Sequence, residues 1–96
     1  MPVNHMVWIK FRPGIDEAGI AAHLAALAAL RERVPGVQSL NLGRNFTERA
    51  NGCTHGLSVI LDDKAALQAY AVHPYHVEVA TALRRDAEIL ALDYEF

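Results

Sequence analysis

The segment His5-Met6-Val7-Trp8-Ile9-Lys10-Phe11-Arg12 decides the architecture of this 96-residue chain. Its β-branched and aromatic residues, followed by Pro13-Gly14, predict a strand and its end. Alternate side chains lie on opposite faces of a strand. One face carries His5, Val7, Ile9 and Phe11, and the other carries Met6, Trp8, Lys10 and Arg12. Both faces are largely apolar, whereas an antiparallel sheet normally leaves one face in water. We therefore expect a cover on each face.

The elements that follow are predicted from caps, breakers and periodicity. Asp16 is suited to cap a helix, and Pro35-Gly36 to end one, while the residue before Pro74 is disfavoured in a helix. The predicted elements are a helix over Asp16–Val34, strands over Val37–Arg44 and His55–Leu61, a helix capped by Asp62 or Asp63 that breaks at His73-Pro74 and restarts towards Arg85, and a strand over Leu90–Glu95.

The resulting order, βαββαβ, is that of an α+β ferredoxin-like sandwich with a four-stranded antiparallel sheet. Both helices of this unit pack on one face of the sheet and leave the other bare. We expect the bare face to carry Met6, Trp8, Leu40, Leu42 and Ile60. A second copy of the chain would cover it, giving a homodimeric α+β barrel. Trp8 would lie in that interface, because tryptophan is enriched at protein contacts, and the 52% hydrophobic composition agrees with a further buried surface.

Composition restricts the function classes. Ninety-six residues predict one domain over residues 1–96, and the single cysteine, Cys53, cannot form an internal disulfide. The first residues lack the pattern of a signal peptide, and no apolar run is long enough to span a bilayer, so we expect a cytoplasmic protein without membrane contact. Net charge is −2 with no basic patch, which argues against nucleic-acid binding.

The segment Ala69-Tyr70-Ala71-Val72-His73-Pro74-Tyr75-His76-Val77 resembles the Y-x-x-H-P-x-H signature of the stress-responsive dimeric A/B barrel (Dabb) family. Further likeness lies in His5–Phe11, the Val34–Val37 corner, Gly43-Arg44-Asn45 and the closing Asp93-Tyr94. The resemblance extends over nearly the whole chain. It implies a ferredoxin-like monomer and a homodimeric α+β barrel.

The family includes plant polyketide cyclases, which close a linear polyketide by a cofactor-free aldol reaction in a pocket between sheet and helices. By resemblance to them, His5, His55, Tyr70 and His76 are the candidate site residues, with His76 as general base and Tyr70 as its partner. A further pocket tyrosine of the cyclases is matched by Leu27 here, which argues against the cyclase substrate but not against the pocket.

This chemistry suits the residue types. An aldol closure needs a base near neutrality and a hydrogen-bond donor for the enolate, and histidine and tyrosine supply these without metal or nucleotide. We therefore expect no cofactor. His73 and His76 are three residues apart and could share a metal ion, but no third ligand stands nearby, so no metal site is predicted. A cation held by backbone carbonyls near Val34–Val37 is a further alternative.

Each candidate also has a structural interpretation. His5 and His55 face the helices and could be ordinary core residues. They would be cross-strand neighbours if the first and third strands are adjacent, as the split βαβ order implies. His73 precedes a proline at the helix break, where it would accept a backbone hydrogen bond. Tyr70 could be a core residue with its hydroxyl at the surface, and His23 and Tyr75 are expected at the surface or the cavity rim.

Three hypotheses follow. The chain could be a dimeric protein that binds a small carbonyl or aromatic compound in a sheet–helix pocket. It could be a cofactor-independent, aldol-type cyclase or lyase that uses His76 as base. It could also be a structural dimer without a ligand, since fold does not determine function.

Overall fold

The computed structural model describes residues 1–96, which form four strands and four helices. In chain order they are β1 (Val3–Phe11), α1 (Glu17–Ala28), α2 (Leu30–Arg33), β2 (Val37–Arg44), β3 (His55–Leu61), α3 (Lys64–Val72), α4 (Pro74–Asp86) and β4 (Ala87–Glu95). This is the predicted order, except that the first helix is interrupted at Ala29. No helix combines the length and the apolar character that a membrane span requires.

Side-chain caps begin the main helices. The Asp16 carboxylate accepts a hydrogen bond from the Gly19 amide at 2.8 Å, and the Asp63 carboxylate accepts one from the Ala66 amide at 2.8 Å. Of the two aspartates proposed for the second cap, Asp63 is therefore the one used. His73 separates α3 from α4, and its Nδ1 accepts a hydrogen bond from the Tyr75 amide at 3.1 Å. The predicted structural role of His73 is confirmed.

The sheet is antiparallel throughout, with strand order β2-β3-β1-β4. The helices cover the face to which alternate residues of the two central strands point. Its core cluster consists of Val7, Ile9, Leu27, Leu30, Val34, Leu57, Val59, Leu61, Tyr70, Val79, Leu83 and Ala87. The α+β ferredoxin-like fold predicted from the sequence is confirmed.

The helix-free face of the sheet differs from the prediction on β2. The register shifts between Val37 and Ser39, after which Leu40 pairs with Val59 and Leu42 with Leu57. Paired residues share a face, so this bulge turns both leucines towards the helices, where they pack on the core. The prediction that Leu40 and Leu42 lie on the helix-free face was wrong.

The edge strand β4 supplies apolar side chains to the helix-free face in place of these two leucines. Leu92 lies beside Met6 and Leu90 beside Trp8, and Tyr94 lies beside Asn4 and receives a hydrogen bond from it at 2.9 Å. Trp8, Leu90 and Leu92 are 42%, 61% and 63% exposed. This chain alone therefore leaves a contiguous apolar surface uncovered.

Candidate functional site

A cavity of about 190 Å³ lies between the sheet and the helices, next to the break between α3 and α4. Most of its wall is aliphatic, and it includes Leu27, Leu30, Val79, Leu83 and Ile89. Three polar aromatic side chains complete it: His5 from β1, Tyr70 from α3 and His76 from α4. Ala71, Arg84 and Ala91 also border it and are exposed, so the cavity opens to the surface on their side.

The three aromatic rings form one cluster centred on Tyr70. Its ring centroid lies 4.4 Å from that of His76 and 5.6 Å from that of His5, which it meets edge-on. Tyr70 is only 1% exposed and is the largest fully buried side chain of the protein. The cluster depends on the helix break, because the extended backbone of His73 lets α4 start in a new direction and brings His76 against the last turn of α3. Three of the four predicted site residues thus come together.

His76 is held as a neutral base. Its Nδ1 lies 3.0 Å from the Ala71 carbonyl, which can only accept, so Nδ1 carries the proton and Nε2 keeps a free lone pair. Burial lowers the pKa of His76, although the hydrogen bond to Ala71 opposes this, and the nearby His5, Arg84 and His73 lower it further. At neutral pH the imidazole is therefore ready to take up a proton.

Tyr70 has the opposite character, that of a proton donor. Burial raises the pKa of Tyr70 far above its ordinary value of about 10, so the phenol stays protonated. No hydrogen bond joins its hydroxyl to another protein group. Every fully buried polar side-chain atom of the chain has a hydrogen-bond partner, so this unpartnered hydroxyl is not fully buried. The hydroxyl is therefore not sealed in the core, and it is available to a molecule in the cavity.

His5 has a partner that the sequence analysis did not identify. Its Nδ1 contacts a carboxylate oxygen of Asp93, because the two residues face each other across β1 and β4. Nδ1 is thereby engaged with Asp93, which leaves Nε2 as the nitrogen that a ligand can reach. The only sequence signal for this pair is that both residues lie on predicted strands, and the register that joins them cannot be read from spacing.

His55 lies away from the cavity. In the β1–β3 register His55 pairs with Ile9 while His5 pairs with Val59, so the expectation that the two histidines are cross-strand neighbours was wrong. The His55 ring meets Phe11 edge-on at 5.5 Å, and its Nδ1 lies 2.9 Å from the Thr54 hydroxyl. Burial and the Arg44 guanidinium lower the pKa of His55, and Glu17 partly offsets them.

His23 and Tyr75 are more engaged than a surface position implies. His23 Nε2 lies 2.6 Å from an Asp86 carboxylate oxygen, and its ring lies 5.9 Å from that of Phe11. The Tyr75 hydroxyl donates to the Ala26 carbonyl at 3.0 Å. Both side chains join helix to helix or helix to strand, so their role is structural.

The sequence profile of the "Stress responsive A/B Barrel Domain" matches residues 3–96. The chain belongs to this family. Among curated relatives, the olivetolic acid cyclase of Cannabis sativa is 28% identical to this chain over 97 residues, covering 98% of this chain and 96% of the relative.

Two solved structures have the same fold as this chain. A crystal structure of an Arabidopsis thaliana protein has a TM-score of 0.91 at 25% identity, covering 98% of this chain and 94% of that one. A dimeric ferredoxin-like protein of unknown function from Jannaschia sp. CCS1 has a TM-score of 0.87 at 28% identity, with full coverage of both chains.

Two features bear on the cavity of this family member. Leu27 stands where the resemblance places a pocket tyrosine, and it is 5% exposed, lining the cavity without filling it. No group of three or more His, Cys, Asp or Glu side chains is placed to hold a metal ion. The polar side chains that line the cavity are the imidazoles of His5 and His76, the Tyr70 phenol and, at the opening, Arg84.

Proposed function

We propose that this chain forms a homodimer through the helix-free face of its sheet and binds a small carbonyl or aromatic compound in the cavity of each protomer. The observation that carries the proposal is the cavity itself. It combines an aliphatic wall with hydrogen-bonding groups of His5, Tyr70 and His76 at one end. Apolar walls with a few convergent polar groups are the usual composition of small-molecule sites.

The dimer accounts for the apolar surface of β1 and β4. Trp8 pairs with Leu90 and Met6 pairs with Leu92 across the two strands, and single subunits rarely leave such a patch in water. The Jannaschia relative is dimeric. A sheet-to-sheet contact would cover the second face of β1, as the apolar pattern of that strand requires.

Trp8→Glu tests the dimer. Sedimentation equilibrium at micromolar concentration should give twice the chain mass for the native protein, and the variant should raise the dissociation constant by about two orders of magnitude, since a carboxylate would be buried in an apolar contact. Val72→Glu is the matched control, because Val72 is 74% exposed on α3 and should leave the dimer intact. A monomeric native chain would refute the proposal.

Ligand binding is tested with acetophenone and benzamide, two neutral aromatic carbonyl compounds of one ring. Both should shift backbone amide signals of the cavity wall in a titration followed by NMR. Leu27→Trp should abolish these shifts, because the larger side chain occupies the cavity, whereas Val72→Trp on the outer surface should retain them. Equal shifts in the native protein and in Leu27→Trp would mean that the compounds bind elsewhere.

The protonation states favour a second candidate function, an aldol-type cyclase or lyase. A neutral His76 can take a proton from the carbon next to a carbonyl, and the Tyr70 hydroxyl can donate a hydrogen bond to the enolate oxygen. The enolate carbon then attacks a second carbonyl, and the resulting alkoxide takes the proton back from His76. The curated cyclase relative makes this reaction class relevant.

Its first step can be measured without the natural substrate. In D₂O, enolisation would replace the methyl protons of acetophenone by deuterium, and the native protein should accelerate this loss of signal. His76→Ala should abolish the acceleration and His55→Ala should preserve it, because His55 lies outside the cavity. Unchanged exchange in His76→Ala would exclude His76 as the base.

A further inference from the structure

Arg84 is the one permanently charged side chain on the cavity wall. Of the fourteen residues that line the cavity, none is Asp, Glu or Lys, and the other polar ones are His5, Tyr70 and His76. Arg84 is exposed, so its guanidinium stands where the cavity meets the surface. The opening therefore presents an uncompensated positive charge to an entering molecule.

The charge of Arg84 has no carboxylate partner. The ion pairs of the chain are His5–Asp93, Arg12–Glu88, His23–Asp86 and Lys64–Glu95. Asp86 and Glu88, the acidic residues that follow Arg84 along the chain, are thus engaged with other partners. The backbone at this point is fixed, since the Arg12 guanidinium donates to the Arg84 carbonyl at 3.2 Å. Arg84 therefore offers an unpaired cation on a backbone held by Arg12.

The Arg84 guanidinium also influences the pKa of His76. Burial is the main cause of the lowered pKa of His76, and the Arg84 charge adds to it, so the field of Arg84 reaches a ring on the cavity wall. A ligand with a negative charge at the opening would be attracted by Arg84 and would meet no acidic side chain on the wall. A neutral ligand would leave the charge of Arg84 unused.

We infer that the ligand is a small carboxylate of one ring or similar size, with its carboxylate at Arg84 and its apolar part against the aliphatic wall. The inference rests on the proposed binding function and specifies the ligand class. The size follows from the volume of about 190 Å³, which is below the roughly 300 Å³ at which pockets for drug-sized ligands begin. An arginine is suited to the anionic end because its donors match the two carboxylate oxygens.

The test compares benzoate with benzamide, which has the same shape and no charge, in titrations of the dimer followed by NMR. Benzoate should bind about three- to tenfold more tightly, as expected for a partly exposed ion pair. Arg84→Gln should remove this preference without weakening benzamide. Arg85→Gln is the matched control, since Arg85 is exposed on the same turn, does not line the cavity and should keep the preference.

The outcomes separate the two proposals. Binding of both compounds with equal affinity, or a benzoate preference that survives Arg84→Gln, would overturn the carboxylate inference and leave the binding function standing. Binding of neither compound would overturn the binding function and the inference with it. Benzoate binding that weakens with added salt in the native protein, but not in Arg84→Gln, would support the inference, because salt screens an exposed ion pair.

Discussion

Two histidine clusters occupy opposite ends of the helix-covered face of β1, and they differ in what surrounds them. At the His5 end, Tyr70 and His76 border a cavity. At the Phe11 end, about 20 Å along the strand, the rings of His23 and His55 pack against Phe11 and His23 is paired with Asp86. The residue types are alike, so the presence of histidine does not mark the site. What distinguishes the His5 cluster is that its rings border the cavity between the sheet and the helices.

The physical origin of this difference lies in the helices. The break at His73 ends α3 beside His5 and starts α4 at an angle, which leaves a space between them. At the other end, His23 on α1 reaches the last residue of α4 and fills the corner. The first end therefore keeps a cavity, whereas the second holds the helices on the sheet.

The largest expected effect is on the free energy of unfolding, and it distinguishes the contribution of the Tyr70 ring from that of its hydroxyl. Tyr70→Ala should lower the free energy of unfolding by about 3–5 kcal/mol, because it empties the site of the largest buried side chain. Tyr70→Phe should cost less than about 1 kcal/mol, since no protein group hydrogen-bonds to the hydroxyl. Urea denaturation would measure both. A loss in Tyr70→Phe as large as in Tyr70→Ala would mean that the hydroxyl is a structural group after all.

An intermediate effect is expected at the closed end. His23→Ala should lower the free energy of unfolding by about 1 kcal/mol, because Asp86 loses a partner that is itself mostly buried. Acetophenone binding should not change. If His23→Ala instead weakened acetophenone binding while leaving stability intact, the assignment of the two ends would have to be reversed.

The smallest expected effect is a pH dependence at the open end. The folded-state pKa of His76 is below its unfolded value of about 6.5. The unfolded chain therefore binds more protons below pH 6.5, and stability contributed at higher pH is lost as the pH falls from about 6.5 towards the folded pKa. His76→Asn should reduce the stability difference between pH 7.5 and pH 5 by at most about 1 kcal/mol. An unchanged or increased difference would contradict the lowered pKa of His76.

Local chemistry made much of this fold predictable. The capping aspartates, the Pro35-Gly36 stop and the His73-Pro74 break act through their immediate neighbours, so the element order and the role of His73 could be read from the sequence. Register could not. One extra residue between Val37 and Ser39 moves Leu40 and Leu42 to the other face, and the pairing of β1 with β3 separates His5 from His55.

The site was predictable only in part for the same reason. Tyr70 and His76 are close in sequence and meet across one helix break, which a local motif can encode. The contact of His5 with Asp93 joins residues 88 positions apart, and the isolation of Arg84 depends on which partners Asp86 and Glu88 find. These contacts are determined only once the strands and helices are assembled, so local sequence patterns do not predict them.

The most direct test of the central claim is a spectrum of the imidazole nitrogens, recorded while acetophenone is added. The account predicts that the signals of His5 and His76 shift together and saturate at the same concentration, while those of His23 and His55 stay in place. It also predicts that His76 shows a protonated Nδ1 and a free Nε2 before addition. Shifts at His23 or His55 with none at His5 and His76 would contradict the account.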